Sequence, residues 1–290
     1  MDGAQAGRLP NIMLADKRQI RHSFSRAALT YDKQALVQRR VAGRLLDLLE
    51  ASGCSRPGHV LEIGCCTGLL SQTLVHRFGS MAALHLNDLA DELFPLVRRR
   101  IADFRGSCSF LGGDFESVPI PGRYDLVVSS STFHWFHDLE HALEKTAGLL
   151  KPKGFLALSL FGPDNLRELR ILTGKGLDYI SLDSLRDLLE ERFLISACEE
   201  ERQRVYFATV DDLLVHLRQS GVNCLSTKGW SRTALERFRE EYELRFRETK
   251  GVGLTYHPMY IIARRQYPAG RTNDSRILSG NHEDHIHLRH

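Results

Sequence analysis

Long apolar runs are missing from this 290-residue chain. A membrane-spanning helix needs roughly 20 consecutive apolar residues, and the longest buried-looking stretch, Phe155 to Phe161, is strand-sized. That argues against an integral membrane protein. Asp2 stands early with no apolar h-region behind it, so no secretory signal is expected. Six cysteines occur, but none forms a C-x-x-C pair, and Cys65 and Cys66 are adjacent. A zinc site or a disulfide framework is therefore not expected; reduced thiols in the cytoplasm are. Charge of one sign is also scarce. The net of +3 is too small to point to nucleic acid, and it lies in the first 50 residues, with nine Lys/Arg against five Asp/Glu. Such an excess either steers an acidic partner or is a solvated helix face. No internal repeat is present.

The chain that remains is 42% hydrophobic and 26% charged, an ordinary globular composition with enough length for a sizeable core. Residues 1–16 lack periodicity and are expected to be loose. From Lys17 to Leu49 apolar residues recur at spacings of three and four, the signature of a helix. Strands and helices then alternate. Strands are expected at His59–Ile63, Met81–Leu86, Ser107–Leu111, Tyr124–Ser129 and Phe155–Leu160. Helices are expected at Leu69–Phe78, Asp91–Phe104 and Leu139–Leu150. Apolar strands alternating with helices predict a parallel sheet covered on both faces. Beyond Gly162-Pro163 the rhythm changes to helices over Asp164–Leu172 and Leu182–Glu191, strands over Phe193–Cys198 and Val205–Ala208, and a helix from Thr209 to Ser220. A charged helix over Ser231–Lys250 and a single final strand over Leu254–Ile262 follow. Residues 266–290 are polar and hold four of the thirteen histidines. They read as a floppy tail, with a metal site as the weaker alternative.

The most informative stretch is Val60-Leu-Glu-Ile-Gly-Cys-Cys-Thr-Gly68. A strand ends at Glu62, and a glycine turn opens a helix. Gly64 suits close backbone approach or positive φ, and Gly68 suits tight packing at the helix start. Sites of this kind at the edge of a parallel sheet bind nucleotide-like ligands. The spacing E-x-G-x-x-x-G departs from the dinucleotide fingerprint. It resembles the E/D-x-G-x-G-x-G motif of Rossmann-like S-adenosylmethionine (SAM) methyltransferases, with Cys66 at a position normally Gly. A side chain there would crowd the amino-acid end of SAM, or strain the turn if φ is positive. Three further landmarks follow in order. Asn87-Asp88 ends the second strand, where a carboxylate suits a ribose diol or caps the next helix. Asp114-Phe115 follows the third strand, where the resemblance implies contacts to the adenine amino group and ring. After the fourth strand comes Ser129-Ser-Ser-Thr-Phe-His-Trp135. Loops at this edge host reacting atoms.

Several segments together resemble one family, the malonyl-acyl carrier protein O-methyltransferases of biotin synthesis. They are Ser23-Phe-Ser-Arg-Ala-Ala-Leu-Thr-Tyr-Asp32 with Gln38-Arg39, Asp125 to Trp135, Leu150-Lys-Pro-Lys-Gly154, Leu160 to Leu169, and Leu254 to Ala263. The family often has Gln where His134 stands. The resemblance spans roughly residues 18–265. It implies an α/β, mostly parallel Rossmann-like sheet with the last strand antiparallel, in a single domain over 17–265. A helical lid over 17–50 and a helical insertion over 163–191 would complete it. It implies SAM as cofactor, no metal, and methyl transfer to the free carboxylate of a malonyl thioester. The partner would be acyl carrier protein or coenzyme A, and neither membrane nor nucleic acid; the chain would be a monomer. A carboxylate is already ionised at neutral pH and needs no base, so catalysis would reduce to positioning.

The expected site follows residue by residue. Glu62, Gly64, Cys66, Gly68, Asn87, Asp88, Asp114, Phe115 and Ser129 would hold SAM. Tyr31, His134 and Trp135 would position the acceptor. Arg167, Arg170, Tyr256 and His257 are candidates for its carboxylate and acyl chain, each with a plain packing or solvated role as the alternative. Arg39, Arg40 and Arg98-Arg99-Arg100 are candidates for greeting an acidic carrier. Competing functions are methylation of another small acid or a quinone-like ring, and a weakly catalytic assembly factor on the same fold.

Overall fold

A computed structural model describes residues 16–220 and 230–266. The chain opens with α1 (Lys17–Gln34) and α2 (Leu36–Ala51). The helical stretch expected to run unbroken to Leu49 thus breaks at Ala35, a fully buried residue with ψ +40. Asp16 caps α1 by accepting from the Arg18 and Gln19 N–H groups.

Five strands with three helices between them follow: β1 (His59–Ile63), α3 (Leu69–Arg77), β2 (Ala83–Asp88), α4 (Phe94–Arg100), β3 (Ser107–Gly112), β4 (Tyr124–Ser130), α5 (Leu139–Leu149) and β5 (Leu150–Phe161). The helix expected from Asp91 to Phe104 is shorter. A 3-10 turn over Asp91–Leu93 leads into α4, whose start takes Pro95 without losing a hydrogen bond.

Next come α6 (Arg167–Thr173), α7 (Leu182–Glu190), β6 (Phe193–Glu200), β7 (Gln203–Phe207), α8 (Val210–Gln219) and α9 (Arg232–Phe246). The chain closes with β8 (Arg247–Glu248), β9 (Gly251–Tyr256) and β10 (Pro258–Arg265).

The main sheet has seven strands in the order β3-β2-β1-β4-β5-β10-β6. Pairings from β3 to β5 are parallel, and β10 runs antiparallel to both its neighbours. Strand order reverses between β1 and β4, and such a switch point opens a crevice at the strands' C-terminal ends. Val60 lies opposite both Leu84 and Leu126, so β1 is central. Its side chains alternate between two cores. Val60 packs with Leu45, Leu49 and Leu74 on the α2–α3 side. Leu61 and Ile63 pack with Leu143, Leu156 and Leu189 on the other.

The single final strand expected over Leu254–Ile262 is instead two strands in two sheets. β9 joins β7 and β8 in a separate three-stranded antiparallel sheet, and β10 enters the main one. The switch happens at His257, buried between them. Its Nδ1 accepts from the Asp164 N–H at 3.0 Å, and its Nε2 donates to Glu200 at 3.0 Å. The charged helix expected to reach Lys250 likewise ends at Phe246. Among the described residues no helix is long and apolar enough to cross a membrane. The tail histidines and Cys224 lie outside the described residues.

Candidate active site

The crevice at the switch point is a cavity of about 1100 Å³, its open mouth included. Its floor is the turn after β1. Gly64 has φ +78, and a Cβ there would stand 2.1 Å from Thr132 Oγ1. Gly68 has φ +85, and a Cβ there would stand 2.9 Å from Val97 Cγ1 of α4. Only glycine fits either place. Cys66 between them also takes the left-handed region, at φ +46. Its N–H donates to Asp88 Oδ2 at 2.6 Å, and its side chain packs against Ala28, Ala90 and Leu93. The turn therefore carries backbone strain at residue 66.

Acids ring this turn. Glu62 is fully buried in the cavity wall, and burial pushes its pKa up to about 8, with the nearby Ser71 hydroxyl pulling weakly down. Neither of its carboxyl oxygens has a well-formed hydrogen bond, and the buried Gln38 Oε1 from α2 also lacks a partner. Gln38 lines the same cavity. Three buried acceptor atoms without donors fit an ammonium group, which the methionine end of SAM carries. Asp88 ends β2 with each oxygen already accepting one backbone N–H, from Cys66 and from Ala90 at 2.7 Å. Burial raises its pKa to about 6. Lone pairs remain on both oxygens for a ribose diol. The Asn87 amide, by contrast, donates to Leu111 O at 2.7 Å and Gly113 O at 3.1 Å, clamping β2 to the end of β3. Phe115 is buried in the wall and stacks on Phe136 at 5.8 Å.

Asp114 already has a cation. Lys17 of α1 reaches it at 2.5 Å and pairs with Glu116 as well. Burial would lower the Lys17 pKa, but these two partners raise it on balance. The rest of α1 roofs the cavity. Ile20, Phe24 and Tyr31 line it, and Phe24 meets Tyr31 edge-on at 6.1 Å and Trp135 at 6.2 Å. Burial pushes the Tyr31 phenol well up. His134 sits among Trp135, Phe161 and Tyr179, at 5.0, 5.3 and 6.1 Å between ring centres. Burial drops its pKa to about 3, so the imidazole is neutral.

The cavity brings together Tyr31, Glu62, Gly64, Cys66, Asn87, Asp88, Asp114, Phe115, His134 and Trp135. Gly68 lies just beneath, at the start of α3. Five other candidates stand outside its wall. Ser129 is buried under the loop and donates to Ile63 O at 2.7 Å, tying β4 to β1. Arg167 is half-exposed beside Glu168. Arg170 donates to Pro163 O and lies over the Tyr179 ring. Tyr256 contacts His216 Nε2 at 2.7 Å, and His257 bridges the two sheets. Sequence reading missed Lys17, Ile20, Phe24, Gln38 and Ser131 as wall residues. The helical pattern of α1 and α2 contains four of them, but nothing local says which helix face covers a site elsewhere in the fold. Among the described residues no group of three or more His, Cys, Asp or Glu is arranged to hold a metal.

Known proteins agree with this geometry. The sequence profile of a methyltransferase domain matches residues 60–154. A Bacillus halodurans structure provisionally named a methyltransferase superposes with a TM-score of 0.55 at 14% identity, covering 76% of this chain and 97% of its own. A Bacillus subtilis structure does so with a TM-score of 0.55 at 14% identity, covering 77% and 98%. At that identity the likeness shows the fold. Relatives in sequence are more specific. Malonyl-acyl carrier protein O-methyltransferase of Calditerrivibrio nitroreducens is 34% identical over 242 residues, 83% of this chain and 94% of the relative. That of Bacteroides thetaiotaomicron is 36% identical over 261 residues, 87% of this chain and 99% of the relative. Identity of this extent along nearly the whole of both chains, on a Rossmann-like sheet whose crevice suits SAM, means that the chain belongs to the SAM-dependent malonyl-acyl carrier protein O-methyltransferase family.

Proposed function

We propose that the chain methylates the free carboxylate of a malonyl group held as a thioester on acyl carrier protein. The products are the methyl ester and S-adenosylhomocysteine, and the step belongs to biotin synthesis in the cytoplasm. The chain acts as a monomer that meets its carrier in solution. The observation that carries this reading is that, among the described residues, the cavity's carboxyl groups lie at the ends of β1 and β2 and just after β3, and no working base stands among the aromatic residues on the acceptor side. His134, the residue best placed for one, is held neutral with a pKa of about 3. It accepts a proton too weakly to activate a hydroxyl or ring carbon. Tyr31 is pushed the other way and stays protonated. An acceptor here must arrive with its lone pair already free, and a carboxylate does.

When bound, SAM supplies a methyl group on a sulfonium, an electrophile that the protein need not activate. The residues then have three tasks. Glu62 and Gln38 hold the ammonium, and Asp88 holds the ribose hydroxyls. Asp114 and Phe115 hold the adenine, Asp114 sharing its charge with Lys17. Phe24, Trp135, Phe136 and Phe161 enclose the acceptor side in aromatic surface. Joining a cation to an anion destroys charge, and such a step runs faster where water is excluded. Positioning and drying are thus what this cavity offers.

The test is single-turnover transfer from labelled SAM to malonyl-carrier protein, malonyl-coenzyme A and free malonate. Base-labile label on the malonyl carrier, ahead of the coenzyme A thioester, is expected. Transfer to none of the three while SAM still binds would overturn the reading.

A further inference from the structure

The end of β4 and the first residue after it are three successive serines with different fates. Ser129 Oγ donates to Ile63 O at 2.7 Å. Ser130 Oγ accepts from Ser159 Oγ at 3.0 Å. Ser131 Oγ is buried and has no partner. Ser131 also takes the left-handed region, at φ +58, and its N–H is fixed on Ser159 O at 2.8 Å. Strain of this kind persists where surrounding structure imposes it, and it gathers at ligand sites. Three residues on, His134 Nδ1 is likewise buried without a partner. The one-turn 3-10 helix Phe133–Trp135 holds it, closed by the Trp135 N–H on Thr132 O at 2.9 Å. Both residues line the cavity.

Resting on the reading above, we infer that Ser131 Oγ and His134 Nδ1 are the two donors that receive the acceptor carboxylate, and that the cavity takes this anion without a cation. Among the described wall residues the one Lys or Arg is Lys17, and Asp114 and Glu116 hold it. Arg167 and Arg170 stand outside the wall. A neutral clamp suits the chemistry. The carboxylate is charged before transfer and its ester is not, so a cation would stabilise the reactant more than the transition state. Neutral donors fix the orientation with less of that penalty. The neutral state of the His134 ring agrees with this role.

Specificity follows from the same arrangement. One carboxylate is matched by the sulfonium. A second would be buried with no counterion, which is strongly unfavourable. The cavity therefore selects a monoanionic acid whose far end is uncharged, as in a thioester, over a free dicarboxylate.

Four variants test this: Ser131→Gly, Ser131→Asn, His134→Leu and His134→Gln. Glycine suits the left-handed backbone, so it removes the hydroxyl without new strain. Asn also tolerates that region and restores a donor, as Gln does at 134. Ser131→Gly and His134→Leu are expected to raise the KM for malonyl-carrier protein by about tenfold or more, with SAM affinity unchanged. Ser131→Asn and His134→Gln are expected to recover most of the loss. A KM within about twofold of wild type in both donor-free variants would overturn the inference alone, as would SAM affinity falling in step with KM. Failure of the wild type to methylate the malonyl carrier would overturn the functional reading and this inference with it.

Discussion

Glu62 shows what a single buried group does to both stability and binding. Its carboxyl has no well-formed hydrogen bond, and burial outweighs the pull of nearby Ser71 and raises its pKa to about 8. A folded-state pKa above the unfolded one means stability that is full at acid pH and is lost as pH rises toward the folded value. In the free protein, Glu62→Gln is therefore expected to grow more stable than wild type from about pH 5 to pH 8, by a few kcal/mol at the top of that range. SAM affinity moves the other way and falls, because the ammonium loses its carboxylate. Chemical denaturation across pH, beside calorimetric SAM titration, checks both arms; a stability gap that does not widen with pH would contradict the first. Cys66 is the second residue-scale case. Cys66→Ala keeps the strain at φ +46 and loses the sulfur's packing, while Cys66→Gly loses the packing and relieves the strain. The glycine variant is expected to be the more stable of the two by about 1 kcal/mol. Since the thiol packs toward Ala28 and Leu93, SAM affinity in Cys66→Gly should stay within about threefold of wild type. A large gain would show that the sulfur crowds the cofactor after all.

At the scale of elements, α1 covers the cavity, and we read it as a lid over the cofactor. Its inner face supplies Ile20, Phe24 and Tyr31 to the cavity. Its outer edge is held by charged latches. Arg21 pairs with Asp91 and Glu92, each at 2.7 Å, Ser25 bonds Glu92 at 2.5 Å, and Asp32 pairs with Arg100. The Arg21 partners are about half exposed, so salt screens them readily. Phe24 on Trp135 and Lys17 on Asp114 hold α1 to the rest of the fold independently of these latches. Arg21→Ala is therefore expected to speed SAM release severalfold while leaving the melting temperature within about 2 °C. Added salt should speed release from wild type more than from the variant. Stopped-flow displacement reads both, and release that ignores the substitution and the salt alike would count against a latched lid. The pattern of α1 announced a helix. It did not announce the break at Ala35, because Ala is a strong helix former and the bend answers to packing elsewhere.

Across the whole molecule, the parallel half was the legible half. Its strands are short apolar runs punctuated by glycine, and each lies beside a neighbour in sequence, with the β1–β4 pairing at the switch point as the one long step. The second half is different. β7, β8 and β9 form a sheet whose members are drawn from both sides of α8 and α9. The buried Glu168 on α6 fastens it, accepting from Arg204 at 2.7 Å, Thr255 Oγ1 at 2.6 Å and the Thr255 N–H at 3.0 Å. No local pattern encodes a buried acid's distant partners, and Leu254 to Ile262 reads as one strand because both its sheets bury apolar residues.

The sequence by itself determined the Rossmann-like sheet, the glycine turn and the acids at the ends of β1 and β2. Those features depend on neighbours in the chain, on side-chain period and on conformations that glycine permits. The tertiary structure alone decided which residues share the cavity. Gln38 and Lys17 enter it because helices from the start of the chain fold back over the sheet. Arg167, Arg170, Tyr256 and His257 stand outside it because the fold gives them other partners: Glu168, the Pro163 carbonyl, His216, and Asp164 with Glu200. Ser131 was indistinguishable from Ser129 and Ser130 in sequence; what separates it is its left-handed backbone and a hydroxyl that finds no partner in the folded chain.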